Sequence, residues 1–206
     1  MIVQRIERMK RKQECVLVYL EGENPLRITE DELLHFGLYT GLDISAETVV
    51  ELRKHAARSE TRRRAAEMIS ARPLSRKELT KRLRTKGSSE PDAETAADWL
   101  EEIGALDEAA YAGTVVRHYS AAGYGAGKIR DELFRRGVPK ELWDEALEQA
   151  PPAEETIARV IAERTKGRQP DEKGLQKLSG MLLRRGFPWD AVRSALSALG
   201  AGIEED

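Results

Sequence analysis

The stretch IRDELFRRGVP, residues 129–139, decides the fold because related stretches occur twice more in the chain. These are LTKRLRTKG at 79–87 and LSGMLLRRGFP at 178–188, at offsets of 50 and 49 residues. Each copy has two apolar residues four positions apart, then a basic residue and a glycine. Self-similarity at such a period is typical of tandem arrays of small structural units.

Each copy predicts a helix together with its C-terminal cap. Apolar residues at i and i+4 form the buried stripe of a helix, and a cation in the last turn complements the helix dipole. A glycine just beyond the helix adopts the left-handed capping conformation, and a following proline begins the next helix. The residues in these roles are Lys86, Arg136 and Arg185 as cations, Gly87, Gly137 and Gly186 as caps, and Pro91, Pro139 and Pro188 as starts.

Further apolar stripes lie on both sides of each copy, so the predicted unit has three helices. Ser75 with Glu78 forms a capping box at the second helix of the first repeat, and Asp107 is the expected cap at the start of the next repeat. We therefore predict three three-helix repeats, at residues 60–106, 107–150 and 153–200. The flanking stripes are Ala65/Met68/Ile69, Tyr111/Val115/Tyr119 and Ile157/Val160/Ile161 upstream, and Trp99/Ile103, Trp143/Leu147 and Val192/Leu196 downstream.

The first 45 residues follow a different pattern. Short apolar runs within 2–8, 14–21 and 25–28 predict three strands. Thr29 and Glu32 form a capping box for a short helix that ends at Gly37, and Ser45 caps the helix that follows. We expect a small β-containing cap at 1–45, a connecting helix at 46–59 and an acidic tail at 201–206. The predicted fold class is mostly α, an elongated array of three repeats with this cap.

Composition excludes several classes of protein. The 206 residues carry 34 Lys and Arg against 36 Asp and Glu, and no apolar run approaches the roughly 20 residues that span a bilayer. The first 12 residues lack the apolar block of a secretory signal, so a cytoplasmic location is expected. A single cysteine, Cys15, excludes an internal disulfide and a multi-cysteine zinc site. The histidines His35, His55 and His118 lack metal-ligand spacing, so we expect no metal, no cofactor and no catalysis.

The glycine-rich segment GYGAGK, residues 123–128, superficially resembles a phosphate-binding loop. It lacks the GxxxxGK[ST] spacing and a preceding hydrophobic strand. We therefore interpret it as a connection between two helices.

Charge alternates along the chain in step with the repeats. Residues 58–87 hold 11 Lys and Arg against 3 Glu, a net of +8, whereas residues 88–114 hold no base and 8 acids, a net of −8. The alternation continues with 6 bases against 2 acids over 115–140, 6 acids alone over 141–158, and 9 bases against 4 acids over 159–193. In a stacked array this pattern predicts a basic stripe and an acidic stripe.

The basic side supplies the candidate binding residues. Lys77, Lys81 and Arg84 share one helix face at about 100° per residue. That face is either simply solvated or a site for a polyanion or an acidic protein. The run 62–64 of three arginines suits phosphate contacts, while dipole compensation alone would explain the basic residue before each glycine.

The acidic third helices oppose one common mode of DNA recognition. In a helix-turn-helix unit the last helix enters the major groove. Here that helix carries Asp98, Glu101 and Glu102 in the first repeat, which argues against reading of duplex DNA. Base stacking is not favoured either, because Trp99 and Trp143 occupy core positions of the repeat.

Two stretches give a family resemblance. RPLSRKEL at 72–79, continued by Leu83 and Lys86-Gly87, and LDEAAYA at 106–112 resemble the RecX family, bacterial regulators of the RecA recombinase. The resemblance covers residues 60–199, and the N-terminal strands resemble an extension found in some members.

The resemblance implies a non-catalytic inhibitor of RecA, and we expect the protein to be a cytoplasmic monomer. It implies binding in the groove of the RecA filament, with single-stranded DNA as a further ligand, and restraint of recombination, DNA repair and SOS coprotease activity. Two alternatives stay open, a general nucleic-acid-binding regulator and a repeat-type protein scaffold. For recombinase contact the candidates are Asp98, Glu101 and Glu102. For filament or DNA binding they are Arg62, Arg63, Arg64, Arg72, Lys77, Lys81, Arg84, Lys86, Lys128, Arg135, Arg136, Arg184 and Arg185.

Overall fold

The computed structural model describes residues 1–9 and 15–200, and its architecture confirms the predicted fold class, mostly helical with one small N-terminal sheet. The predicted acidic tail at 201–206 and the first residue of the predicted second strand lie outside the described residues. In chain order the elements are β1 Val3–Arg8, β2 Cys15–Leu20, β3 Leu26–Thr29, α1 Glu30–His35, α2 Ala46–Ala71, α3 Arg76–Thr85, α4 Glu90–Glu102, α5 Glu108–Ala121, α6 Ala126–Arg136, a 3₁₀ turn Lys140–Leu142, α7 Trp143–Leu147, α8 Ala153–Thr165, α9 Glu172–Arg184 and α10 Trp189–Gly200.

The chain divides into two compact units. Of the described residues, the first contains 1–9, 15–72 and 79–105, and the second contains 73–78 and 106–200. The start of α3 therefore belongs to the second unit, although the rest of that helix belongs to the first.

The sheet of the first unit is antiparallel in the order β1-β2-β3. Three strands alone are marginally stable, and this sheet gains its core from packing against α2. Thr29 forms the predicted capping box at α1, and Ser45 accepts a hydrogen bond from Thr48 at the start of α2. The buried side chains shared by sheet and helix include Val16, Val18, Ile28, Val49 and Leu52.

One unbroken helix, α2, spans the predicted connecting helix and the first helix of the first repeat. It packs against β3 near its start and against α4 further along. Small side chains allow that close approach, since Ala65 on α2 and Ala93, Ala96 and Ala97 on α4 are fully buried.

The second and third repeats each have a core of their own. Val116, Ile129 and Leu133 lie in the core of the second, and Ile157, Leu182 and Val192 in that of the third. Gly87, Gly137 and Gly186 have φ values of 91°, 73° and 84°, which confirms the predicted left-handed caps. Asp107 accepts a hydrogen bond from the Ala110 N–H, as its predicted capping role requires.

The interpretation of the glycine-rich segment 123–128 as a connection between two helices is wrong for its second half. Gly125 caps α6, and the residues from Ala126 to Lys128 form the first turn of that helix instead of a connection. The Gly125 and Gly127 N–H groups donate to Arg185 O at 2.8 Å and Gly186 O at 2.9 Å. A Cβ on Gly125 would lie 2.6 Å from the Gly186 carbonyl oxygen, so glycine is needed there for close backbone approach.

Candidate functional site

Two contacts within the second unit use corresponding positions of the predicted repeats. Ser75 Oγ donates to Arg136 O at 2.6 Å, and the Gly125 N–H donates to Arg185 O at 2.8 Å. Ser75 and Gly125 lie 50 residues apart, at the starts of second helices, and both carbonyls belong to the residue before a capping glycine. A donor at the start of the second helix of one repeat therefore bonds to a carbonyl at the end of the second helix of the next repeat.

The cations before the capping glycines strengthen these contacts. Arg136 Nη1 donates to Tyr111 Oη at 2.9 Å and lies 3.8 Å from Glu78 Oε1. Arg185 Nη1 donates to Gly123 O at 3.0 Å, and its guanidinium lies 5.5 Å from the centre of the Tyr124 ring. Both guanidinium groups are thus engaged within the protein, well beyond simple compensation of a helix dipole.

Glu132 belongs to the same polar cluster as Arg136, Tyr111 and Glu78. It is only 6 % exposed and forms ion pairs with Arg135 and Arg136. Burial acts to raise the pKa of Glu132, but hydrogen bonds from Arg135 and Tyr119 and the charges of both arginines outweigh it, so the pKa is lowered. Burial and the bond to Glu78 raise the pKa of Tyr111.

Several predicted binding cations of the first unit are paired with carboxylates. Arg63 forms ion pairs with Glu60 and Glu67, and Arg64 donates to Glu60 at 2.8 Å and to Lys86 O at 3.0 Å. Arg84 Nη1 lies 3.2 Å from Glu90 Oε1. These pairs reduce the charge that the arginines can offer to a ligand.

Other cations are exposed and have no ion pair to a carboxylate within residues 1–9 and 15–200. Arg62 is one of them, and its guanidinium lies 5.8 Å from the centre of the Trp99 ring. Lys128 has no such pair either but is half-buried at the start of α6. The exposed members of this group among the predicted binding residues are Arg62, Arg72, Lys81, Lys86 and Arg184.

The remaining predicted residues have different surroundings. Lys77 is exposed, and its methylene groups occupy the position that a Cβ on Gly137 would take. Asp98, Glu101 and Glu102 are all exposed on α4. Within the part of the chain that the structure describes, no group of three or more acidic, histidine or cysteine residues could hold a metal ion. No helix of that part is long and apolar enough to cross a bilayer.

Sequence reasoning missed the roles of Tyr111, Glu78, Gly125 and Gly127 in joining repeats. The signal was present, because these residues lie in the quoted stretches at 72–79, 106–112 and 123–128. Their partners, however, lie far away in sequence, and only the fold brings them together.

Comparison with known proteins finds similarity to RecX proteins, both in family models and in individual sequences. The family model described as "RecX, second three-helix domain" matches residues 107–147, and "RecX, third three-helix domain" matches 153–196. A regulatory protein RecX of Pseudomonas putida is 35 % identical over 138 residues, which are 66 % of this chain and 88 % of that protein. One of Geobacillus kaustophilus is 28 % identical over 198 residues, 93 % of this chain and 74 % of its own length.

Two crystal structures share the fold. One of a regulatory protein RecX superposes with a TM-score of 0.74 at 22 % identity, covering 94 % of this chain and 98 % of the other. A RecX from Lactobacillus salivarius gives a TM-score of 0.59 at 20 % identity, covering 70 % of this chain and 97 % of the other.

Proposed function

The chain belongs to the RecX family of regulatory proteins, and on that premise we propose that it inhibits a RecA recombinase by binding the RecA filament on single-stranded DNA. The protein acts without catalysis, as a cytoplasmic monomer lying in the filament groove. Through this contact it restrains recombination, DNA repair and SOS coprotease activity.

One observation carries the proposal: the basic side of the chain keeps exposed cations that no carboxylate of the described residues neutralises. Arg62, Lys81 and Lys86 belong to this group in the first unit. Such cations attract the phosphates of a nucleic acid and release its counterions. The acidic α4 is unsuited to enter a DNA groove, so we assign its residues Asp98, Glu101 and Glu102 to contact with the recombinase.

The direct test is co-sedimentation of the protein with RecA–single-stranded DNA filaments, compared with naked single-stranded and duplex DNA. We expect preferential binding to the filament and inhibition of RecA ATP hydrolysis. Equal affinity for naked DNA would favour a general nucleic-acid-binding regulator instead. Binding to neither would favour a protein scaffold, and either result contradicts the proposal.

A charge-reversal variant tests the surface itself. Arg62→Glu with Lys81→Glu removes two exposed cations that have no carboxylate partner, so filament binding should weaken and its salt dependence should become shallower. The matched control is Lys140→Glu with Arg193→Glu, which makes the same change of charge at exposed positions near third helices. Equal inhibition of ATP hydrolysis by both variants would show that this surface is not used.

A further inference from the structure

The third repeat contains an open concavity that none of the contacts described above fills. It lies between the end of α8, the connection 166–171 and one face of α9, and has a volume of about 570 Å³. Among residues 1–9 and 15–200 no Asp or Glu lines it, so the charged side chains of this described lining are all basic. The lining cations are Arg164, Arg168, Lys177 and Arg184.

These four cations are available to a ligand. All four are exposed, and none has an ion pair to a carboxylate within the described part of the chain. This distinguishes them from Arg63 and Arg64, which are tied to Glu60. Neutral groups that can form hydrogen bonds, Gln169 and Gln176, complete the polar lining.

The concavity corresponds in part to the position where the second repeat binds the C-terminal end of a helix from the third repeat. Gly174 and Gln176 lie 49 residues after Gly125 and Gly127, which bind the carbonyl groups at the end of α9. A helix C-terminus carries a partial negative charge, so the filled position already accepts an electronegative group. The corresponding position of the third repeat is lined by four cations.

The start of α9 differs from its counterparts in a way that excludes a further helix end. The helix begins before Gly174, and the Gly174 N–H donates to Asp171 Oδ1 at 2.8 Å instead of to a neighbouring carbonyl. A ligand of the concavity must therefore be held by side chains. The end of α3 from a second copy of the chain is also disfavoured as the ligand. Its Lys86 would add a positive charge to a surface that is already basic.

We propose that this concavity binds the phosphodiester backbone of single-stranded nucleic acid. Guanidinium groups match phosphate oxygens in charge and in paired hydrogen-bond geometry. The described residues of the lining include no aromatic side chain on which a base could stack, so binding should not depend on base sequence. An acidic protein segment is a less suitable ligand, because the part of the lining that the structure describes lacks the exposed aromatic anchor that dominates protein interfaces.

The proposal deepens the proposed function, because it assigns contact with the DNA strand to the third repeat. The test uses the full chain without RecA and a fluorescent oligothymidylate of about 30 nucleotides, followed by anisotropy between roughly 50 and 200 mM salt. For Arg168→Gln with Lys177→Gln, losing two contacts should reduce the slope of log K against log salt by about 1.4 and weaken binding about 25-fold at about 0.1 M salt. Lys140→Gln with Arg193→Gln is the matched control, and Arg168→Lys with Lys177→Arg should restore binding.

Several outcomes would overturn the assignment. These are the absence of oligonucleotide binding, an unchanged affinity and slope in the double variant, and competition by poly-glutamate as effective as that by unlabelled oligothymidylate. Far-UV circular dichroism shows that each variant is folded. Because RecA is absent, loss of this assignment leaves filament co-sedimentation intact, whereas failure of co-sedimentation with normal oligonucleotide binding overturns the proposed function alone.

Discussion

Tyr111 Oη donates a hydrogen bond of 2.6 Å to Glu78 Oε2, and this bond joins the two most specific stretches of the sequence. A second bond links the same stretches, from the Arg76 N–H to Glu108 Oε1 at 3.0 Å. The stretches at 72–79 and 106–112, which carry the family resemblance, therefore contact each other within the second unit. These residues contribute to the structure of the protein itself through these two hydrogen bonds.

Tyr111→Phe tests the strength of this contact. The change removes a hydroxyl that donates to Glu78 and accepts from Arg136, so the free energy of unfolding should fall by about 1–2 kcal/mol in urea titration. Tyr39→Phe is the control, since Tyr39 is 62 % exposed, and should change stability by less than about 0.5 kcal/mol. In a double-mutant cycle with Glu78→Gln the two losses should not add, and full additivity would contradict a direct coupling.

Two glycines on equivalent second helices should respond oppositely to alanine. At Gly125 a Cβ meets backbone atoms of Gly186 at 2.6 Å, so Gly125→Ala forces the second and third repeats apart and lowers the unfolding midpoint. At Gly180, inside α9, the nearest atom is the mobile Arg184 guanidinium at 3.3 Å. Gly180→Ala should therefore stabilise the protein by about 0.5–1 kcal/mol through helix propensity. Equal effects of both changes would contradict the close-approach argument.

Local features of the fold were predictable from the sequence, whereas contacts between residues distant in sequence were not. The caps at Thr29, Ser45 and Asp107 and the left-handed glycines depend on residues within a few positions of each other. The Lys86 carbonyl that accepts from Arg64, in contrast, lies 22 residues away, and the partner of Ser75 lies 61 residues away. Charge counts located a basic region, but they did not consider that Glu60 and Glu67, the carboxylates three or four positions away, pair with Arg63 and Arg64.

Glu132 gives the stability of the protein a component that depends on pH. Its pKa is lowered in the folded state, so its contribution is fully present above the ordinary value of 4.5 and is lost as the pH falls through the lower folded value. Glu132→Gln should reduce stability at pH near 7 and flatten the decline below pH 4.5. Urea midpoints measured across this range check the prediction, with the exposed Glu145→Gln as control. Parallel acid profiles for wild type and Glu132→Gln would contradict it.

Arg62 and Arg64 lie two positions apart on α2 and should separate binding from stability. Arg64 donates to Glu60 and to Lys86 O, so Arg64→Ala should lower the free energy of unfolding by about 1 kcal/mol. Arg62 is exposed, with no carboxylate partner among the described residues, so Arg62→Ala should leave stability within about 0.5 kcal/mol yet weaken filament co-sedimentation. Both variants lose one positive charge, and each therefore serves as the other's control. If Arg64→Ala weakens filament binding as much as Arg62→Ala while both remain folded, internal pairing does not determine which arginines reach the ligand, because both guanidinium groups would then contribute to it equally.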